Sequence, residues 1–373
     1  MSITTRAAIA RGPHLGWEMA DLQLDDPKEF EVRVRFHASG LCHSDNHITT
    51  GDVARARFPL VGGHEGAGVV ESVGPNVRRV SVGDRVVCSY IPACGACRPC
   101  STGNQSMCVK GLNAATGMFL DGTFRFHLGD EDLGGFCTLG TFSEYAVVSE
   151  FACIPIDDDI SFEVASLVGC GVPTGWGSAV YAAGVRAGDT VVIYGAGGVG
   201  SNTVQGAAYA GAKNVVVVDP VEFKRDTAKF LGATHTFATA KEAHDFVVET
   251  TWGQLADHAI CTPDVVTEET VQDAVQVVGK GGKVTITSVG HADERAVHVH
   301  AGMLISYQRQ IRGALFGGCN PLYDVPRLLG LYRSGDLKID ELITRRYRLD
   351  EVNDAYRDLV DGKNIRGVIV HED

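Results

Sequence analysis

A chain of 373 residues, 45% hydrophobic and 21% charged, is globular and soluble in composition and long enough for about two domains with a large buried core. Its formal net charge of −13 argues against a polyanion-binding surface, which needs clustered Lys and Arg, so no nucleic-acid partner is expected. Residues 1–19 hold no apolar run long enough for a secretion signal, and nowhere do roughly 18 apolar residues follow one another. The expectation is a cytoplasmic protein with no membrane partner, in which the spaced cysteines among its 11 mark metal sites rather than disulfides.

In chain order, EVRVRFHASG alternates at period two, GAGVVESVG and DRVVCSY are short β-branched runs, and glycines punctuate them. These predict a β-rich, barrel-like or sandwich-like first domain. Residues 94–142 are rich in Gly and Cys without helical periodicity, which predicts an excursion held by metal rather than by core. Near Pro173 the character changes. TGWGSAVYAAG reads as a helix, DTVVIYGAGGVG as a strand and tight turn, and SNTVQGAAYAGA as the next helix. NVVVVD, DHAICTP and KVTITSVG read as further strands, FKRDTAKFLGA and HDFVVETT as helices, and EETVQDAVQVVGKGG as a helix ending at glycine. Such alternation predicts an α/β, doubly wound parallel sheet. The expected division is 1–171 with 316–373 for the β-rich domain, carrying a metal lobe at about 90–112, and 172–315 for the doubly wound one.

The most specific spacing is Cys94, Cys97, Cys100 and Cys108, a C-x2-C-x2-C-x7-C run. Four thiolates so spaced can close a tetrahedral structural zinc site. An iron–sulfur cluster competes, though the ferredoxin run has a shorter last gap and a proline after its fourth cysteine. Next come Gly195, Gly197, Gly198 and Gly200 in GAGGVG, between a β-branched run and a helical one, where backbone amides and a helix N-terminus can meet a pyrophosphate. Asp219 ends the following apolar run, placed to accept from ribose hydroxyls and repel a 2′-phosphate, which selects NAD over NADP. Cys42 and His64 fall in one polar stretch, residues 40–65, with Cys170 among glycines at the start of the nucleotide pattern. Two cysteines and a histidine suit a catalytic zinc with an open position, but spacing alone leaves a hydrogen-bonded core histidine and buried cysteines as the competing reading. Cys88, Cys137, Cys153, Cys261 and Cys319 are expected as small core residues.

GLCHSD, GGHEGAG, the four-cysteine run, VGCGVPTGWGSAV, GAGGVG and DGKNIRGVIV, in this order over nearly the whole chain, resemble the zinc-dependent medium-chain alcohol dehydrogenases. The resemblance implies a Rossmann domain beside a GroES-like catalytic domain, two zinc ions per chain and NAD. It implies that Cys42, His64 and Cys170 hold the catalytic zinc, with Glu65 able to approach the metal transiently and Asp45 orienting His64. The metal would acidify an alcohol, hydride would pass to the nicotinamide, and the proton would leave by Ser44, the nicotinamide ribose and His47. Lys224 would hold the adenosine ribose, Arg366 and His43 the pyrophosphate, and Thr174 and Val199 would flank the nicotinamide.

The loop containing DGTFRFH and GTFSEYAVV resembles the longer members, which implies a homodimer or higher homo-oligomer. Glutathione-dependent formaldehyde dehydrogenases share that loop but carry acidic groups where Arg55 and Arg57 stand, and an arginine where Gly111 stands, so glutathione adducts are not the expected substrate. GGHEGAGVV, VGCGVPTGWGSAV, VDPVEFKR and DGKNIRGVIV are most similar to the nitrosoaniline-dependent branch, in which NAD stays bound and an external electron acceptor reoxidises it in place. An ordinary dehydrogenase with exchangeable NAD, or a glutathione-independent formaldehyde-type enzyme, is the alternative. Ser44, Tyr90, Phe136, His291 and Leu315 fall near positions that line the alcohol pocket in similar enzymes, though their sizes do not name a substrate. Ser44 in place of a bulkier threonine leaves slightly more room at the zinc, so tolerance of medium-length or aromatic primary alcohols, with aldehydes as products, is expected.

Overall fold

The computed structural model describes residues 2–52, 56–290 and 298–371, so Arg55 and His291 lie outside the described residues. Two compact units share the chain: Met1–Cys170 with Asn320–Ser334 and Ile339–Asp373, and Gly171–Cys319 with Gly335–Lys338.

In the first unit, the period-two run becomes the strand Glu31–Gly40, with Val32, Val34 and Phe36 buried and Arg33 and Arg35 on the more open face. It pairs with Gly66–Val73, Tyr145–Ser149 and the C-terminal strand Arg366–Val370, at the middle of a seven-stranded sheet. Ile3–Ala10, Glu18–Leu24, Phe126–Leu128, Glu131–Gly135 and Leu60–Val61 close a barrel. Here the expectation for residues 94–142 needs correction. The cysteine lobe packs only a small cluster of Ile91, Tyr90 and its own sulfurs among the described residues, whereas Phe126, Leu133, Phe136, Leu139 and Phe142 join the main hydrophobic core. Closing the barrel removes its sheet edges, and those side chains fill it.

The second unit holds a six-stranded parallel sheet in the order His235–Phe237, Asn214–Val218, Thr190–Tyr194, Ala256–Cys261, Val278–Ile286, Gln310–Gly313. In sequence terms this is the 3-2-1-4-5-6 order of doubly wound dinucleotide-binding sheets. The central strands Thr190–Tyr194 and Asn214–Val218 are buried throughout, as helices on both faces require. Thr239 and Glu242 form a reciprocal capping box that starts the helix Ala240–Thr250. Two boundaries differ from expectation. The helix read as ending at glycine stops at Val277, because Val278 opens the next strand and pairs with Ala256. Phe316–Gly318 and Cys319, expected with the returning tail, belong to the second unit, where the Cys319 thiol donates to Pro173 O at 3.3 Å.

Candidate metal centres and nucleotide site

The four cysteines of the lobe converge, their sulfurs lying within 4.8 Å of one another. Two of the separations, Cys97–Cys108 at 3.9 Å and Cys94–Cys100 at 4.0 Å, match the edge of about 3.8 Å that a tetrahedron with Zn–S bonds of about 2.3 Å requires. Backbone amides point at the sulfurs: Cys94 N donates to Cys108 Sγ and Cys97 N to Cys94 Sγ, each at 3.4 Å. Amides of Val109 and Cys100 pull the Cys97 thiol down to about 6, which favours the ligating thiolate, while burial pushes Cys100 up to about 12. The chemistry of this donor set fits a single closed ion.

The second cluster is assembled from three separate stretches. Cys42 ends the run that leaves the strand Glu31–Gly40 and stands at the N-cap of the helix His43–Thr50; His64 and Glu65 follow two glycines; Cys170 ends the first unit's long segment. Ligand atoms of Cys42, His64, Glu65 and Cys170 all lie within 4.8 Å of one another. Asp45, fully buried, places Oδ2 at 2.9 Å from His64 Nδ1 and accepts Gly63 N at 2.8 Å with Oδ1. That arrangement fixes the imidazole with Nε2 left for a metal. The Cys170 thiol, donating to Cys42, holds the Cys42 thiol well below its usual range, so the pair shares one proton that a cation would replace. Glu65 is pushed up to about 7 by burial, against the opposing pull of Arg366. Two cysteines, a histidine and a carboxylate in reserve fit a zinc site with an exchangeable position.

Around this cluster, Phe136 and Tyr90 stand edge-on to the His64 ring at 5.3 and 5.7 Å. Ser44 Oγ lies 3.6 Å from Cys42 Sγ, and Ser44 and His47 are three residues apart on one helix face. His47 is 1% exposed, and its Nδ1 lies 3.2 Å from Asp52 Oδ2. The ring of His43, half-buried, lies 6.5 Å from that of His47. Arg366 pairs with the Glu65 carboxylate and donates from Nη2 to Leu41 O at 3.1 Å, both contacts internal to the first unit.

In the second unit, Gly195 has φ +94° and a Cβ there would strike the Thr262 carbonyl; one on Gly200 would strike Gly195 O. Gly197, at the N-cap of the 12-residue helix Gly198–Tyr209, has nothing within 4 Å of where a Cβ would stand. Open space at a helix N-terminus with free amides is the cradle a pyrophosphate fills. Asp219, 5% exposed, braces the turn by accepting Ala196 N at 2.8 Å and Val221 N at 2.9 Å. Thr174 Oγ1 is buried without a hydrogen-bond partner among the described residues, and Gly175 lets its helix pack against Val199 O. Lys224 is half-buried in the first turn of the helix Glu222–Phe230.

Two supporting residues escape a reading of the sequence. Thr262 donates to Tyr194 O and Gly195 O at 3.0 and 2.8 Å, fastening the glycine turn to the neighbouring strand; Arg225 donates to Asp219 O and Pro220 O, both at 2.8 Å. Only the position of Thr262 at the end of an apolar run hints at its place.

Residues 28–158 match the alcohol dehydrogenase GroES-like domain family and residues 198–333 the zinc-binding dehydrogenase family. The chain is 54% identical to the NDMA-dependent alcohol dehydrogenase of Amycolatopsis methanolica, over 98% of its own length and 99% of that protein's. It belongs to the zinc-dependent medium-chain alcohol dehydrogenases. Like them it is an oxidoreductase of zinc and NAD(H) chemistry. Among solved structures, an alcohol dehydrogenase zinc-binding domain protein from Burkholderia ambifaria superposes with a TM-score of 0.92 at 30% identity over 100% of both chains. Benzyl alcohol dehydrogenase from Acinetobacter calcoaceticus superposes with 0.91 at 28% identity, over 99% of this chain and 100% of that one.

Proposed function

We propose that this alcohol dehydrogenase oxidises primary alcohols to aldehydes with NAD that stays bound through turnover and is reoxidised in place by a second, external acceptor. Convergence of Cys42, His64 and Cys170 around an imidazole fixed by Asp45 is the observation that carries the alcohol chemistry. The 54% identity to an NDMA-dependent relative over 98% of the chain supports the retained cofactor.

In this reading Cys42, His64 and Cys170 hold one zinc ion and Cys94, Cys97, Cys100 and Cys108 a second, structural one. Bound zinc supplies Lewis acidity toward the alcohol oxygen, and bound NAD a hydride acceptor. The chain does the rest. Asp45 keeps a proton on His64 Nδ1, so the ring's other nitrogen stays a ligand. Phe136 and Tyr90 wall the cluster with apolar ring edges and limit water beside it. The hydroxyl of Ser44 accepts the proton leaving the alcohol as it gives up its own, and that proton moves outward by way of buried His47, whose Nδ1 faces Asp52. The amides after Gly197 and the carboxylate of Asp219 bind the pyrophosphate and adenosine ribose, with Lys224 beside the ribose. Thr174 and Val199 flank the nicotinamide. The enzyme works in the cytoplasm as a homodimer or higher homo-oligomer.

Denaturing the purified, extensively dialysed protein and measuring released NAD per chain tests the retained cofactor. About one equivalent is expected on the one-site stoichiometry of a dinucleotide fold. Near none, with activity restored by added NAD, overturns it in favour of a cofactor that exchanges as a cosubstrate.

A further inference from the structure

The C-terminal helix Val352–Val360 buries Val352, Ala355, Tyr356 and Leu359 along one face. Tyr356 is 5% exposed, and its Oη donates to Cys42 O at 3.4 Å across 314 residues of chain. That carbonyl also accepts Asp45 N at 3.2 Å, at the start of the helix His43–Thr50, whose N-cap has no side-chain hydrogen bond. The phenol therefore grips the peptide whose side chain is the Cys42 sulfur.

The ring of Tyr356 acts on the other donor-bearing segment. It stacks on Trp17 with centroids 5.9 Å apart and packs against Phe142 at 6.1 Å, while Trp17 and Phe142 meet edge to face at 5.6 Å. A Cβ on Gly62 would run into the Trp17 ring, and one on Gly63 into the Phe142 backbone, so the chain entering His64 lies directly against these rings. Asn353, one turn earlier on the same helix, holds Trp17 by both backbone groups, accepting its N–H at 3.0 Å and donating to its carbonyl at 2.8 Å. One helical turn thus braces Cys42 through a hydroxyl and Gly62–Gly63–His64 through a packed aromatic trio.

On the reading that a metal sits among Cys42, His64 and Cys170, we infer that Tyr356, with Asn353 behind it, is a positioning residue for that centre. It fixes the two donor segments relative to each other so that they meet an ion without rearrangement. Groups that orient metal ligands from behind typically change affinity by about 10–100-fold when removed. Tyr356 acts on a ligand's backbone rather than its side chain, which points to the lower end of that range.

The test uses the full-length protein loaded with zinc, and separately with cobalt(II), whose visible spectrum reports thiolate coordination. Tyr356→Phe keeps the ring and its packing and removes only the hydroxyl. Under a metal chelator, this variant is expected to lose the Cys42 ion about tenfold faster than the unmodified protein. The four-cysteine ion should leave both proteins at one rate, the cobalt bands of the Cys42 site should shift, and the melting temperature should change little. Asn353→Ser, which frees Trp17, should speed loss from the same site. Unchanged release and an unchanged cobalt spectrum in Tyr356→Phe overturn the inference while leaving the metal reading standing. An unmodified protein that takes up only the four-cysteine ion overturns both.

Discussion

Asp45 and His64 lie 2.9 Å apart, carboxylate to Nδ1, with the carboxylate wholly buried. Burial raises the Asp45 pKa, and the contact with His64 works against that rise, so the pair holds its geometry only while both partners are present. Asp45→Asn keeps the size and can still accept from Gly63 N, but its neutral amide no longer fixes the imidazole. The expected result is metal affinity at the Cys42 site lower by about 10–100-fold, read by chelator competition, with the four-cysteine site unaffected.

Glu65 and Arg366 are a buried ion pair in which each charge depends on the other. Removing one partner strands the second in a low-dielectric interior, at a cost of roughly 3–5 kcal/mol. Arg366→Ala should therefore lower unfolding stability in urea titration, by less than that amount at neutral pH because Glu65, already at about 7, takes up a proton, and by more as pH rises. The double variant Glu65→Gln, Arg366→Met should recover much of the loss, since the stranded charge is gone.

Gly195 and Gly197 separate folding from cofactor binding. Gly195 sits at φ +94° against Thr262 O, so Gly195→Ala is expected to destabilise the protein and weaken NAD binding together. Gly197, at φ −73° with open space around it, accepts a methyl in the folded chain. Gly197→Ala should leave stability unchanged or raise it by about 0.4–1 kcal/mol. It should nonetheless weaken NAD binding by more than tenfold, about 1.4 kcal/mol, because the methyl occupies the pyrophosphate cradle. Calorimetric titration and thermal melting of the same samples check both halves.

His371 gives the fold an acid-sensitive component. Burial pushes its pKa from 6.5 down to about 4, with His37 adding to the shift. Between those values the unfolded chain binds a proton that the folded one refuses, so stability present above pH 6.5 is lost as pH falls toward 4. The contribution amounts to about 3 kcal/mol from one residue. Urea unfolding at stepped pH should show a shallower acid loss in His371→Leu than in the unmodified protein.

How much of this could be read from the chain follows the distance over which each feature is encoded. The four cysteines and the glycine turn are local patterns, with donors a few residues apart, and spacing alone identified them. The strand Glu31–Gly40 was legible because its two faces differ in burial. Residues 126–142 were misread because a barrel wall of Phe126, Leu133 and Phe136 needs no regular period once it closes on itself. Cys42, His64 and Cys170 could be nominated as a set from their residue types and the nucleotide pattern beside Cys170, but their spacing left a core histidine and buried cysteines as a competing reading until family resemblance favoured the set. The pairing of Arg366 with Glu65 and the reach of Tyr356 to Cys42 span 301 and 314 residues, and no local signal announces either.

On the reading that its four thiolates hold a structural ion, the cysteine lobe, supported among the described residues by Ile91 and Tyr90 beside its own sulfurs, makes part of this enzyme's conformation a function of an ion concentration. A segment that folds around a cation gains stability with the logarithm of the free ion, about 1.4 kcal/mol for each tenfold rise above the dissociation constant. The barrel and the parallel sheet carry their information in side-chain packing and are indifferent to metal supply. With a structural zinc there, residues 94–108 would instead report it: in a zinc-starved cell the same polypeptide would be made, would fold elsewhere, and would leave this lobe open to proteases.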